Sequence, residues 1–283
     1  GLDPGCLTDL GGFEAHVFRG AGRILKVTHT LRRTPDALLG EAELVQHLWD
    51  AGVPVARPLA MADGGLLGRI PDGEGGLFLA VCTEAIDGRR TGPADWDAGT
   101  VSAWGATAGA MARAGRSFHP SQAARQRRHW TADPIVDFAR SIPDSAPELR
   151  ARGLACLARL SALPTGPSDE GLAHADLHHG NFLLDADGRV RPFDFDDCEV
   201  SPFVREVAVP LYYAVAAVGK QAGDAERRAF AGFFLRTFLA AFVRAQPLSA
   251  RALASLPDWL EMRSCILFAA LQETAATGDL TAE

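Results

Sequence analysis

At 283 residues and 30.1 kDa the chain has room for one large domain or two smaller ones, and a hydrophobic share of 47% supports a substantial core. A formal charge of −7 argues against nucleic acid as the main partner, and no apolar run is long enough to span a membrane. Five scattered cysteines (Cys6, Cys82, Cys156, Cys198, Cys265) with no CxxC pair exclude a disulfide framework and a thiolate zinc site; with no signal-peptide pattern at the N-terminus, a reducing, cytoplasmic setting is expected.

In chain order, residues 7–10, 15–19 and 23–28 read as three antiparallel strands separated by Gly11-Gly12-Phe13-Glu14 and Gly20-Ala21-Gly22. Thr34-Pro35-Asp36 opens a helix that runs to Gly52, with Thr34 as cap and an acid at the positive end of the dipole. Residues 53–83 read as further strands with glycine-rich turns, and Val81-Cys82-Thr83-Glu84-Ala85-Ile86-Asp87-Gly88 as a strand leading into a linker. From Asp95 the pattern is helical, with Trp96, Val101, Trp104, Ala108 and Met111 near one face. A hairpin at 182–194 interrupts this half, and helices resume after Pro202, through 211–213, 230–243 and 256–271. The expected architecture is α+β and bilobal: a β-rich lobe with one helix over 1–82, a connector at 83–88, and a larger, mainly helical lobe over 89–283. Ligands favour the cleft between such lobes.

The chemistry concentrates between residues 174 and 194. The run His174-Ala175-Asp176-Leu177-His178-His179-Gly180-Asn181 sits on a loop, because Gly180 and its polar neighbours break any helix and a strand begins at Phe182. Asp176, Asn181 five positions later and Asp194 at the far end of the hairpin are the parts of a phosphoryl-transfer site: one carboxylate to orient a hydroxyl, an amide and a second carboxylate to hold Mg²⁺. Asp194, Asp196, Asp197 and Glu199 would repel one another without a nearby cation. The Asp185-Ala186-Asp187-Gly188 stretch is a turn rather than a calcium loop, since Arg189 and Val190 stand where an acid and a glycine are needed. His174 and His178 have a zinc-hydrolase spacing, but Ala175 replaces the required Glu and no helix carries them, so His174 is read as a loop brace.

Only two of the 28 basic residues are lysine, and Lys26 lies in an apolar strand. A buried ammonium needs a partner. Glu41 is the candidate: it shares a helix face with Leu38, Ala42, Val45, Leu48 and Trp49, whereas Glu43 should be solvated. Such a pair would hold the lysine against nucleotide phosphates. Gly11 and Gly12 could cover phosphates with backbone N–H groups, and the basic run at 125–130 reads as a solvated face.

The pattern His174-x-Asp176-x-His178-x-Gly180-Asn181 followed by Phe193-Asp194-Phe195-Asp196 resembles the phosphotransferase family of aminoglycoside phosphotransferases, choline kinases and type II homoserine kinases. That resemblance, which also takes in Lys26, Glu41, the segment near Glu84 and residues 202–213, implies a protein-kinase-like fold that uses ATP and Mg²⁺. By position it makes Asp176 the catalytic base, Asn181 and Asp194 the metal ligands and Lys26 the phosphate contact. Val81, Thr83 and Glu84 become the adenine-binding connector, and His174, His178 and Asp196 support the site. Glu206 departs from the pattern, standing where an Asp is expected to brace the loop. The expected reaction is phosphoryl transfer to a hydroxyl of a small molecule by a monomer or homodimer, with no nucleic-acid or membrane partner. A cationic acceptor would suit Asp196, Asp197 and Glu199. A stress-response protein Ser/Thr kinase and a non-catalytic nucleotide-binding module stand as alternatives.

Overall fold

The computed structural model describes residues 4–12, 15–166, 168–219 and 222–277. Strands β1 (Thr8–Gly11), β2 (His16–Gly20) and β3 (Arg23–His29) form an antiparallel meander, as the alternating turn and strand signals predict; Phe13 and Glu14 of the first turn lie outside the described residues. Helix α1 (Pro35–Asp50) follows. Thr34 holds the N-cap position in extended conformation but makes no side-chain cap bond; its hydroxyl bonds the Asp36 carboxylate instead. Strands β4 (Pro58–Leu59), β5 (Gly68–Pro71) and β6 (Leu77–Glu84) complete a six-stranded sheet of order β1-β2-β3-β6-β4, with β5 also on β6. Lys26 of β3 pairs Val81 of β6. β6 runs through Thr83 and Glu84, so the strand extends into the segment expected as connector.

The large lobe is built on α2 (Ala98–Gly115), α3 (Phe138–Ser141), α4 (Pro147–Ser161), α5 (Arg205–Gly219), α6 (Asp224–Ala245), α7 (Ala250–Ala254) and α8 (Leu256–Thr277). Two small antiparallel pairs lie among them: β7 (Glu170–Ala173) with β10 (Glu199–Pro202), and the hairpin β8 (Phe182–Leu184) with β9 (Val190–Pro192). Trp96, Val101, Trp104, Ala108 and Met111 are all buried, as the helical period requires. Trp104 packs its indole against Phe182, Phe234 and Phe238. Helices α2 and α6 meet closely because Gly105 and Gly109 face the α6 backbone; a Cβ on either would come within 2.3 and 2.5 Å of the Phe238 and Phe242 carbonyl oxygens.

The two lobes share core. Leu38 packs with Leu67 and Leu79 under the sheet, whereas Leu44 and Leu48, about two and three turns on, join the large-lobe cluster. Helix α1 therefore bridges the lobes. The irregular segment between α2 and α3 crosses it: Arg125 donates its amide to the Asp36 carbonyl (2.9 Å), and Ser121 bonds Glu43 through amide and hydroxyl (2.8 and 2.6 Å). Glu43 is thus a docking point and not the solvated residue that helix geometry alone suggests. No helix among the described residues is long and apolar enough to cross a membrane.

Candidate active site

The loop between β7 and β8 carries Asp176 and Asn181, and the turn after β9 carries Asp194. The loop starts with Ala175 at φ 65°, a left-handed conformation that costs a non-glycine residue about 1–2 kcal/mol. Glu206, at the start of α5, holds it there. Its Oε1 accepts from the Ala175 amide (2.8 Å) and its Oε2 from the His174 amide (3.2 Å). The longer acid in place of the expected Asp still braces the loop. Burial pushes the Glu206 carboxyl up, and His174 and the two amides oppose that shift. His174 ties loop to hairpin through Nε2 and the Phe193 carbonyl (3.2 Å).

Asp176 is surrounded by donors. Asn181 Nδ2 donates to its carbonyl and to its Oδ2, both at 3.0 Å. His178 Nε2 faces Oδ2 at 3.4 Å, while the Gly180 amide donates to His178 Nδ1 (2.9 Å), which fixes Nε2 as the protonated nitrogen in the neutral ring. Arg263 of α8 bonds Oδ1. Burial raises the Asp176 pKa, but the His178 bond and the Arg263 charge outweigh it, and the carboxyl lies below the ordinary range.

With its nitrogen committed to Asp176, Asn181 leaves its amide oxygen without a partner among the described residues. Asp194, at φ 64°, opens to solvent in the cleft and has no hydrogen-bond or ion-pair partner among the described residues. The cleft walls, Asp196 and Asp176 push its pKa up, while Lys26 and His174 draw it down. A carboxylate crowded by acids and an amide oxygen without a donor are hard ligands of the kind Mg²⁺ takes, so the donor set fits a divalent cation.

Lys26 Nζ lies 3.1 Å from Glu41 Oε1 and also bonds Asp196. Glu41 is 6% exposed, and burial pushes its carboxyl up to about 7 against the pull of Lys26. Asp196 is further held by Arg33 (3.3 Å). The basic run at 125–130 is solvated only in part: Arg125, Gln126 and Arg128 are exposed, whereas Arg127 and Trp130 turn inward. Arg127 bonds the carbonyls of Phe195 (2.7 Å) and Asp196 (2.9 Å) and Cys198 Sγ (2.9 Å), and Trp130 is buried. Of the four acids expected to crowd one another, Asp196 is bound by Lys26 and Arg33, and Glu199 is buried on Arg205. Only Asp194 and Asp197 face the cleft without an ion pair among the described residues.

The structure therefore brings Lys26, Glu41, His174, Asp176, His178, Asn181, Asp194 and Asp196 together. Gly11, Gly12, Val81, Thr83 and Glu84 lie along the sheet. The Gly11 amide is taken by Asp9 Oδ1 (2.8 Å), the Glu84 amide by the Arg57 carbonyl (2.9 Å) and the Ala85 amide by the Gly22 carbonyl (2.8 Å). Ile86 is the first residue of the linker whose amide lacks a partner among the described residues. The imidazoles of His174 and His178 point to different partners, and the grouping of potential metal ligands found among the described residues is Cys156, Asp258 and Glu261 on α4 and α8. There both acids carry arginines, and burial raises the Cys156 thiol to about 12.

The family model for the phosphotransferase enzyme family matches residues 8–255. The chain belongs to that family. Amicoumacin kinase of Bacillus subtilis (strain 168) is 31% identical over 254 residues, covering 88% of this chain and 74% of the relative. The solved structure of amicoumacin kinase hAmiN in complex with AMP-PNP, Ca²⁺ and Ami is similar at a TM-score of 0.88 and 30% identity, over 96% of this chain and 82% of that one. A microcompartment-associated aminopropanol kinase shares the fold at a TM-score of 0.69 and 18% identity, over 96% of this chain and 93% of its own. The fold is the protein-kinase-like bilobal α+β fold, and the protein is a phosphotransferase of the small-molecule kinase kind.

Two residues at the site escaped sequence reasoning. Arg263 stands in the stripe Trp259, Met262, Ile266 of α8, the same kind of position that marks Glu41 in α1, and that signal was available. Arg127 lies in a segment without period and gave no signal.

Proposed function

We propose that this chain moves the γ-phosphoryl group of Mg-ATP to a hydroxyl of a small cationic acceptor of the amicoumacin type. The observation that carries the reading is the convergence of Asp176, Asn181 and Asp194, with an oxygen on each of the last two that has no partner among the described residues. Asp176 orients the acceptor hydroxyl and receives its proton late, so a low pKa is no handicap when the transition state is loose. Asn181 Oδ1 and the Asp194 carboxylate hold Mg²⁺, which when bound offsets charge developing on the phosphate oxygens. Lys26, kept charged by Glu41 and Asp196, contacts the phosphates. The amide of Ile86 serves the adenine edge, since those of Glu84 and Ala85 are spent; the connector is then 85–88, between lobes ending near 84 and beginning near 89. Asp197 is the acid left to receive an ammonium of the acceptor, in place of the trio that sequence suggests. The need for ATP and five free thiols suit a cytoplasmic setting. Arg263 and Tyr213 crowd Asp176 from the helical side, which favours a small acceptor over a polypeptide.

The test is Asp176→Ala beside Asp194→Ala. The first should abolish transfer to amicoumacin, by about 10²–10⁴-fold or more, while calorimetry shows Mg-AMP-PNP binding largely intact. The second should weaken metal-nucleotide binding itself. Turnover at the wild-type level in Asp176→Ala refutes the assignment, and transfer to a generic protein substrate but not to amicoumacin replaces the acceptor.

A further inference from the structure

We infer that Arg263 is the positioning residue for Asp176, fixing which of its two oxygens receives the acceptor hydroxyl. A carboxylate offers about four lone-pair sites, two on each oxygen. Oδ2 takes Asn181 Nδ2 at 3.0 Å and faces His178 Nε2 at 3.4 Å, which fills it. Oδ1 takes Arg263 Nη2 alone among the described residues. The free lone pair is therefore on Oδ1, and the hydroxyl must approach there, beside the guanidinium.

Arg263 is built to stay in place. The two N–H groups of Nη2 go to Asp176 Oδ1 and to the Tyr213 hydroxyl (2.5 Å). The guanidinium carbon lies 4.9 Å from the centroid of the Tyr213 ring, and its side chain is 11% exposed. The same tyrosine ring packs 4.6 Å from His178. One side chain of α5 thus backs both the arginine on Oδ1 and the histidine facing Oδ2. The buried Nε of Arg263 has no hydrogen-bond partner among the described residues, a desolvation cost that packing alone would remove by placing an aliphatic residue in this stripe. Arginine at this position is explained by what its other end holds. Residue 263 also lies beyond the 8–255 match of the family model, so family membership assigns it no role.

The inference rests on the reading of Asp176 as the residue that orients the hydroxyl, and the experiment separates the two. Arg263→Met, Arg263→Lys, Asp176→Asn and the double variant Asp176→Asn/Arg263→Met are assayed for transfer from Mg-ATP to amicoumacin and, in parallel, to water. Arg263→Met should lower kcat about 10²-fold with the KM for Mg-ATP unchanged, as expected for a misplaced catalytic group. Arg263→Lys should recover part of that loss, because the charge returns without the planar fork. In Arg263→Ala, added guanidinium should restore turnover saturably. Because Arg263 acts through Asp176, adding Arg263→Met to Asp176→Asn should cost nothing further. A kcat for Arg263→Met close to wild type, additive losses in the double variant, or a loss that neither lysine nor guanidinium relieves overturns the inference. Active Asp176→Asn, or a wild-type chain with neither activity, removes the reading of Asp176 and the inference with it.

Discussion

Replacing Glu206 with alanine leaves two buried backbone amides, those of His174 and Ala175, without an acceptor. Each orphaned donor costs about 1–3 kcal/mol. Part is returned, since the wild-type carboxylate is itself desolvated and its pKa is raised by burial. The net loss is about 3 kcal/mol, which for a chain of this size lowers Tm by roughly 6–12 °C. The loop would also lose the brace that keeps Ala175 left-handed, and a displacement of about 1 Å at Asp176 costs about 10²-fold in kcat. The pH dependence has a definite sign. A raised folded-state pKa means the native protein keeps the Glu206 proton where the unfolded chain has released it. Its contribution is therefore full below the ordinary value of 4.5 and is lost as pH rises through the native pKa. Glu206→Gln cannot titrate, so its stability should fall less than wild type over that window, even though the amide supplies one acceptor where two are needed. Thermal melts of wild type, Glu206→Ala and Glu206→Gln across pH 4–8, with turnover at one pH, check these statements. A Glu206→Ala protein that melts within about 2 °C of wild type and turns over normally would show that the brace carries no weight.

Gly40→Ala tests the coupling of α1 to the segment that crosses it. A Cβ there would sit 2.7 Å from the Arg125 carbonyl oxygen, so the helix or the segment must shift; stability should fall by about 1–3 kcal/mol and the KM for ATP rise, because Glu41 and hence Lys26 move with the helix. A thiol count with an aromatic disulfide reagent at pH 8 should find one fast site, exposed Cys6, and four that react only on unfolding: Cys82, Cys156, Cys198 and Cys265 are buried, and burial raises Cys156 to about 12 and Cys198 to about 11. Two or more fast thiols in the folded protein contradict the packing of β6, α4, α8 or the Asp194 turn.

What the sequence could and could not convey follows from the range of the interactions. Helix α1 and the hairpin were legible because their signals are local: a 3.6-residue period that puts Glu41 among apolar neighbours, and a turn whose Asp185 carboxylate accepts from the Asp187 and Arg189 amides. The pairing of β7 with β10 was not, since four-residue strands separated by the whole stretch 174–198 carry no pattern of their own. The basic run at 125–130 departs in part from a solvated face for a related reason. Arginines outside any period look solvated, and Arg127 turns inward because carbonyls 68 and 69 positions later face it. The acids show the same limit. A cluster of four between 194 and 199 reads as one patch of charge, yet its cations come from β3, the turn after it and α5. Lys26 meets Asp196 across 170 positions, and Arg263 meets Asp176 across 87. The candidate oxygens are thus written locally in residues 174–194, whereas the charges that pair with some of those acids and leave others unpaired are supplied at long range. Such contacts form only after distant elements have docked. The open lone pair on Asp176 Oδ1 and the oxygens of Asn181 and Asp194 without partners among the described residues are consequently a property of the docked lobes, and a substitution that loosens docking should disarm the site without touching any residue of the loop that carries the motif.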